Sequence, residues 1–417
     1  MSADRALESL TVPGGPAGPE VAALLAGEAA APTPPRLEHL RYKPGTSVIA
    51  RVVGDQGTQP WWFAAHARDQ RDKTHKIAER AAESGYPLAA GELAGDAGVR
   101  ILSGPIGLDK NLFKPLRRTG LVGADGRIAG TVLSYNPWRR VVLRRTGGFP
   151  GWPGDAAVVR IWAAPPASAR LLAPLHAADV PVLPARTLGA DGIEQPWAPG
   201  GDLDTALAAF GGLSASGLSA RVGSALARLH AVDADRPEIR RARLPRVDAR
   251  RALDAARDGV AAGLPGLLAE FDLAAVAVHR ELTAHDRPNV LVHGDFSADQ
   301  VVLDADGVPW IIDLDRMGTA PAGYDIGSFA AVEILRNRAA DSAGDLLAAY
   351  RAHPQSALVG EDEVRAWTAF HLLLRVAEPF RDLDPDCRER GRKRIDAAWD
   401  QLAGARTELA RPESGRR

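Results

Sequence analysis

The chain has 417 residues, 46% hydrophobic and 25% charged, with 51 basic and 52 acidic side chains for a formal net charge of -1. That is globular composition, long enough for two or three domains, and its neutral balance argues against a dedicated nucleic-acid binder. The single cysteine, Cys387, excludes an internal disulfide framework and a thiolate zinc cluster. With no long apolar run and no basic, apolar leader, the sequence predicts a cytoplasmic protein without a membrane partner.

Residues 1–36 are rich in Ala, Gly and Pro and read as a loose tail, with one short helix near Val21 to Leu25. From Leu37 the pattern changes. Leu40 to Val53 places β-branched residues around a Pro-Gly turn, Trp61 to Ala67 reads as a partner strand, and a charged helix follows. Leu133 to Arg145 repeats the L-x-Y-x-P core of Leu40 to Pro44. A Gly/Pro loop, Gly147 to Asp155, and the strand Ala156 to Ala163 come next. Each copy reads as a two-strand unit followed by a helix, which predicts two similar β-rich modules. From about Leu203 the apolar spacing is helical, notably in Leu218 to Val232 and Val364 to Phe380.

The segment from Val290 to Ile312 interrupts the helical pattern. Two short buried strands flank an Asp-Gly turn, where Asp304 and Asp306 read as turn caps. His293, Gly294 and Asp295 follow one apolar strand, and Asp313 ends another, 18 residues after Asp295. Two carboxylates brought to one mouth are costly unless a cation is shared or the site is solvated. Magnesium in phosphoryl transfer supplies such a cation, and a second acid can orient an attacking hydroxyl.

This stretch resembles the catalytic core of the aminoglycoside phosphotransferase and choline kinase-like superfamily. The likeness rests on the ALARLHA helix (Ala225 to Ala231), the HGD loop, the apolar strand ending Ile312-Asp313, and the YDIGSF segment (Tyr324 to Phe329). It implies an α+β, bilobal protein-kinase-like fold. Residues 126–200 would form a β-rich small lobe and 201–417 a mainly helical large lobe, with residues 37–125 an additional N-terminal α/β cap module. It also implies ATP and Mg2+ as cofactors. By this resemblance Asp295 is the catalytic acid/base, and Asp313 and Gln300 hold the metal. Gln300 stands where the family usually has Asn, as in the maltokinase-like branch. His293 and Asp325 support the loop, and Asp315 either helps with metal or faces solvent.

The small lobe departs from the pattern. Arg160 takes the place of the strand lysine that holds the nucleotide phosphates, and the following helix offers no Glu to pair with it. Ile193 to Trp197 resembles the hinge, where backbone groups of Glu194 and Pro196 would pair with adenine. Gly147 to Gly154 is either a loop over the phosphates or a hairpin tip. Lys43 reads as a solvated turn lysine, and the basic Gly104 to Arg118 as an amphipathic connector.

Polar candidates for the acceptor pocket include Glu333, Arg336, Asn337 and Arg381. His371, Arg375 and Glu378 stand four and three residues apart, one helix face that Trp367 joins a turn earlier. An aromatic residue with mixed charges suits a polyhydroxylated ring, and a salt-bridged face reads equally well. The leading expectation is therefore an O-phosphotransferase whose partners are a nucleotide and a small polyhydroxylated acceptor: a sugar, amino sugar or cyclitol. The alternatives are an antibiotic-resistance phosphotransferase, which needs an acidic cleft, and a pseudokinase that binds without turnover.

Overall fold

The computed structural model describes residues 35–402 except 55–57, 94–97, 210–212, 285–286 and 339–340, together with Leu10 and Leu24. Most of the expected tail, including Val21 and Leu25, lies outside the described residues.

Strands β1 (Arg36–Lys43), β2 (Ser47–Val53) and β3 (Trp61–His66) form an antiparallel meander. Helix α1 (Arg71–Ser84) follows, then β4 (Ala89–Glu92) and β5 (Arg100–Gly104), giving the sheet order β1-β2-β3-β5-β4. A connector carrying α2 (Phe113–Thr119) leads to a second sheet. It is built from β6 (Thr131–Asn136), β7 (Arg140–Thr146), β8 (Ala156–Trp162), α3 (Leu172–Ala177), β9 (Arg186–Leu188) and β10 (Gly192–Pro196), in the order β6-β7-β8-β10-β9. The two sheets thus share one topology, with a helix between the third and fourth strands of each. Both L-x-Y-x-P segments end the first strand and enter its hairpin turn. Each unit is larger than the sequence suggested: three strands, a helix and two strands.

Strand β3 reads Trp-Trp-Phe-Ala-Ala-His, an apolar run rather than an alternation, because the first sheet is covered on both faces. Trp61, Phe63 and Ala65 join one apolar cluster with Val260, Phe271 and Phe380 of the later helices. Trp62 and Ala64 join another with Leu116, Val141, Val159 and Ile161 of the connector and second sheet. Each large side chain buried this way contributes about 1.5–3 kcal/mol. The first sheet is therefore fixed to both the second sheet and the helical region.

The helical region holds α4 (Leu203–Ala209), α5 (Leu213–His230), α6 (Pro237–Ala242), α7 (Ala249–Gly263) and α8 (Leu268–Ala284) before a segment of short strands. After it come α9 (Gly323–Leu335), α10 (Asp341–Ala352), α11 (Glu361–Leu374), α12 (Glu378–Arg381) and α13 (Cys387–Gln401). Between them, β11 (Asn289–Val292) pairs antiparallel with β14 (Gly318–Pro321), and β12 (Val301–Leu303) with β13 (Pro309–Ile311). None of the described helices is long and apolar enough to cross a membrane.

Candidate active site

Strand β11 delivers His293, Gly294 and Asp295 to the edge of a cavity of about 760 Å³, which Gln300, Asp313 and Asp315 also line. The turn can form only with glycine at its centre. Gly294 has φ +91°, and a Cβ there would stand 2.0 Å from the Arg316 carbonyl oxygen. Asp325, at the start of α9 and fully buried, holds this turn from behind. It accepts hydrogen bonds from the backbone N–H groups of His293 at 2.6 Å and Gly294 at 3.0 Å, and His230 Nε2 lies 3.1 Å away. His293 Nε2 lies 2.7 Å from the Ile312 carbonyl oxygen, which ties the Asp295 loop to the strand that ends at Asp313. Asp304 caps the β12–β13 turn, accepting from the N–H groups of Asp306 and Val308.

Asp295 faces Arg316 Nη1 at 3.1 Å and Arg375 Nη2 at 3.3 Å. Burial pushes its carboxyl up, but these two guanidiniums and His293 outweigh burial and hold it below the ordinary carboxylate value. It is an anion at neutral pH, able to accept a proton from a hydroxyl. Asp313 has φ +59°, a left-handed conformation uncommon outside glycine, imposed where β13 gives way to a short 3-10 turn.

The small-lobe side of the cavity is carried by arginine. On β8, Arg160 Nη1 lies 3.0 Å from Asp313 and 3.2 Å from Asp315. On β7, Arg140 donates to both oxygens of Asp313, at 2.6 and 2.8 Å, and to Asp315 at 2.5 Å. Trp162 Nε1 donates to Asp315 at 2.9 Å. In the register Arg140 opposes Trp162 and Val142 opposes Arg160, so all four share the face of the sheet turned to the acids. Asp315 is thus part of the ionic group. Burial pushes the Asp313 carboxyl up, and Arg160 and Arg140 more than reverse that, leaving it well below the ordinary range. Arg140 was not singled out from the sequence. Its signal is weak: a charged residue opening an apolar strand directly after a turn.

The β6–β7 turn lines the cavity through Asn136, Trp138 and Arg139, whereas Gly147 to Gly154 joins β7 to β8 at the other end of the hairpin and is not part of that lining. The connector clamps that turn. Asp109, fully buried, accepts from the Trp138 N–H and the Tyr135 hydroxyl, both at 2.7 Å, and Asn111 Nδ2 donates to the Trp138 carbonyl at 3.1 Å. Trp138 stacks on His66 of β3 with centroids 5.6 Å apart. The basic connector is therefore a structural part of the site.

Several candidate residues lie elsewhere. Glu194 sits inside β10, paired with Val159 and Arg186 in the two ladders, on the sheet face opposite Arg160. Its carboxylate is buried in ion pairs with Arg145 and Arg186. Pro196 ends the same strand, opposite Ala157. Trp367 packs across Gly323 and Gly327 and edge-on to Tyr324, buried at 6% exposure. His371 is buried under Tyr324, its centroid 4.5 Å away, and burial followed by Arg375 lowers its pKa to about 3. Neither side chain can stack on or bond a ligand in the cavity. Arg375 and Glu378 differ because α11 ends at Leu374 and the expected single helix face is broken there. Arg375 turns to Asp295, with Glu378 3.4 Å behind it and Arg394 3.2 Å from Glu378. Glu333 and Arg336 belong to an ionic group with Arg338 and Asp204, which Arg336 joins to Asp299 beside Gln300 at 3.7 Å.

The oxygen donors fit a hard cation. Asp313, Asp315 and Gln300 share the cavity, and a magnesium site commonly uses one or two carboxylates with the substrate's phosphates completing the shell. Gln300 Nε2 donates to Asp299 at 3.0 Å, which directs its amide without engaging Oε1.

Comparison with known proteins agrees with this geometry. Residues 139–336 match the family model described as the phosphotransferase enzyme family. That segment is similar to the phosphotransferase enzyme family and spans a little under half of the chain. The choline/ethanolamine kinase family protein from Mesorhizobium loti is similar in structure, with TM-score 0.50 and 16% identity over 72% of this chain and 97% of that one. The fold is accordingly the bilobal kinase-like α+β architecture. Lower scores are given by the Plasmodium vivax ethanolamine kinase, TM-score 0.49 and 11% identity over 67% of this chain and 82% of that one. The macrolide 2'-phosphotransferase from Brachybacterium faecium gives TM-score 0.40 and 18% identity over 66% and 91%. No curated protein matches the chain significantly. The match supports a small-molecule phosphotransferase.

Proposed function

We propose that the protein transfers the γ-phosphoryl group of ATP to a hydroxyl of a small polyhydroxylated acceptor, of the sugar, amino sugar or cyclitol kind. One observation carries the reading: Asp295, Gln300, Asp313 and Asp315 line a single cavity beneath a sheet that turns Arg140 and Arg160 toward them. The acceptor oxygen attacks the γ-phosphorus, its proton passes to Asp295, and the bond from γ-phosphorus to the bridging oxygen breaks to release ADP. Magnesium, held by Asp313 and Gln300, would supply charge neutralisation for the phosphates. Arg140 and Arg160 would then release Asp313 and meet the phosphates instead, a role that suits their bidentate forks. Catalysis of this kind is mostly positioning and charge stabilisation.

Residues 37–125 act as a cap that fixes the β6–β7 turn over the site through Asp109 and His66. The supporting observation is that the first sheet packs on both the second sheet and the large-lobe helices. Mass spectrometry with Mg-ATP and mixed acceptors, with Asp295→Asn alongside, tests the proposal. A one-phosphate gain that the variant loses supports it; no gain and no nucleotide binding would leave a ligand-binding protein without turnover.

A further inference from the structure

Outside the four acids that line it, the cavity wall is positively charged, and part of that charge has no carboxylate partner among the described residues. Each of its four carboxylates is already matched. Asp191 pairs with Arg118 at 2.6 Å, Asp295 with Arg316 and Arg375, and Asp313 and Asp315 with Arg140 and Arg160. Lys110, Lys114 and Arg139 also line the cavity, and among the described residues no carboxylate forms a salt bridge with any of them. Asp109, beside Lys110, is spent on four hydrogen bonds, to Tyr135, Trp138, Asn111 and Leu112. Helix α1 adds Arg80, which lines the cavity, and Lys76 and Lys73 four and seven residues before it along the same helix face. Burial, then Lys73 and Arg80, pull the Lys110 ammonium below its ordinary value.

The positions of these cations separate two roles. Arg140 and Arg160 stand on the second sheet, against Asp313, where the nucleotide phosphates belong. Lys110 and Lys114 come from the connector of the first module, and Lys110 lies over the outer ring of Trp138, 4.9 Å from its centroid. A cavity lined this way repels a polycation and leaves a neutral sugar with unmatched charge around it.

Resting on the phosphotransfer reading above, we infer that the acceptor alcohol carries an anionic group, a phosphate or a carboxylate, seated on Lys110 and Lys114 while its hydroxyl meets Asp295. The connector therefore selects the substrate as well as fixing the turn, and an aminoglycoside is the wrong charge for this site.

The test has two arms on the full chain. In the first, Mg-ATP is offered with neutral sugars and cyclitols, their monophosphates, the corresponding sugar acids, and aminoglycosides. Turnover is expected on phosphates or on sugar acids, and which of the two is used identifies the anion. The Lys110→Ala/Lys114→Ala double variant should raise KM for that acceptor by about tenfold or more, as loss of charge-assisted contacts does, with a much smaller change in KM for ATP. In the second arm, inorganic phosphate is titrated calorimetrically into the wild-type protein and the same variant without nucleotide. Binding by the wild type that the variant loses supports the seat even when no acceptor is turned over, in which case the transferase reading alone fails. Turnover of neutral or cationic acceptors in preference to anionic ones overturns the inference and leaves the transferase reading standing. So does a double variant whose only defect is in KM for ATP. A single Lys114→Glu variant, at an exposed position, guards against loss of folding and should show the larger KM change.

Discussion

The His293-Gly294-Asp295 loop hangs on one buried carboxylate, and Asp325→Asn tests that arrangement directly. The wild-type side chain, with no measurable exposure, accepts from two backbone N–H groups at 2.6 and 3.0 Å and faces His230 at 3.1 Å. An Asn retains one acceptor oxygen, so its amide nitrogen must confront either a backbone N–H or the His230 ring. A charge-assisted bond contributes about 1.5–3 kcal/mol, and removing one side of a buried pair costs about 3–5 kcal/mol. We expect a loss of about 3–5 kcal/mol in unfolding free energy, read from urea unfolding followed by tryptophan fluorescence. Hydrogen exchange at the His293 and Gly294 amides should quicken in parallel. Burial pushes the Asp325 carboxyl up, but the His230 hydrogen bond and charge, with His293, hold it below its ordinary value. A lowered pKa stabilises the fold fully above the unfolded value of about 3.9 and is lost as pH falls through the folded one. The difference between wild type and variant should therefore persist through neutral pH and shrink only in strong acid. A loss below about 1 kcal/mol with unchanged exchange would refute the reasoning. The loop would then be held by the fit of Gly294 against Arg316.

Four further outcomes follow from the site. Asp295→Asn should lower kcat by about 10²–10⁴ while leaving KM for ATP nearly unchanged. Because Arg316 and Arg375 outweigh burial and keep Asp295 ionised, wild-type kcat/KM should show no acid limb from this group above about pH 5. Arg140→Ala and Arg160→Ala act on the same two carboxylates, so their effects on KM for ATP, measured in a double-mutant cycle, should couple by about 0.5–3 kcal/mol. Trp367→Ala should cost about 3–5 kcal/mol in urea unfolding through a core cavity, with KM for the acceptor little moved in a well-folded preparation.

What could be read from the chain was what local chemistry dictates. A short apolar strand followed by His293-Gly294-Asp295, and a second ending at Asp313, announce a loop of reactive carboxylates, since both signals fit within one turn or strand. Gly294 is legible for the same reason: only glycine tolerates that turn. Helical periodicity likewise placed the later region. It misled at Trp367 and His371, because a face extrapolated through Glu378 assumes a helix that ends at Leu374. Packing of α11 on Tyr324 and the start of α9 buries those two side chains, and the break after Leu374 lets Arg375 reach Asp295.

Long-range pairing was not legible. Arg140 meets Asp313 across 173 positions of sequence, and no spacing rule connects a residue after one hairpin turn to an acid in another lobe. Asp109 reads as one more acid in a basic connector until Trp138 is folded against it. Glu194 lies in a hinge-like stretch, yet strand register turns its side chain to the far face of the sheet. The sequence alone determined which groups could carry phosphoryl transfer. Tertiary packing decided which of them share a cavity and what charge surrounds it, because ion pairs and burial depend on distances that only the assembled sheets and helices set.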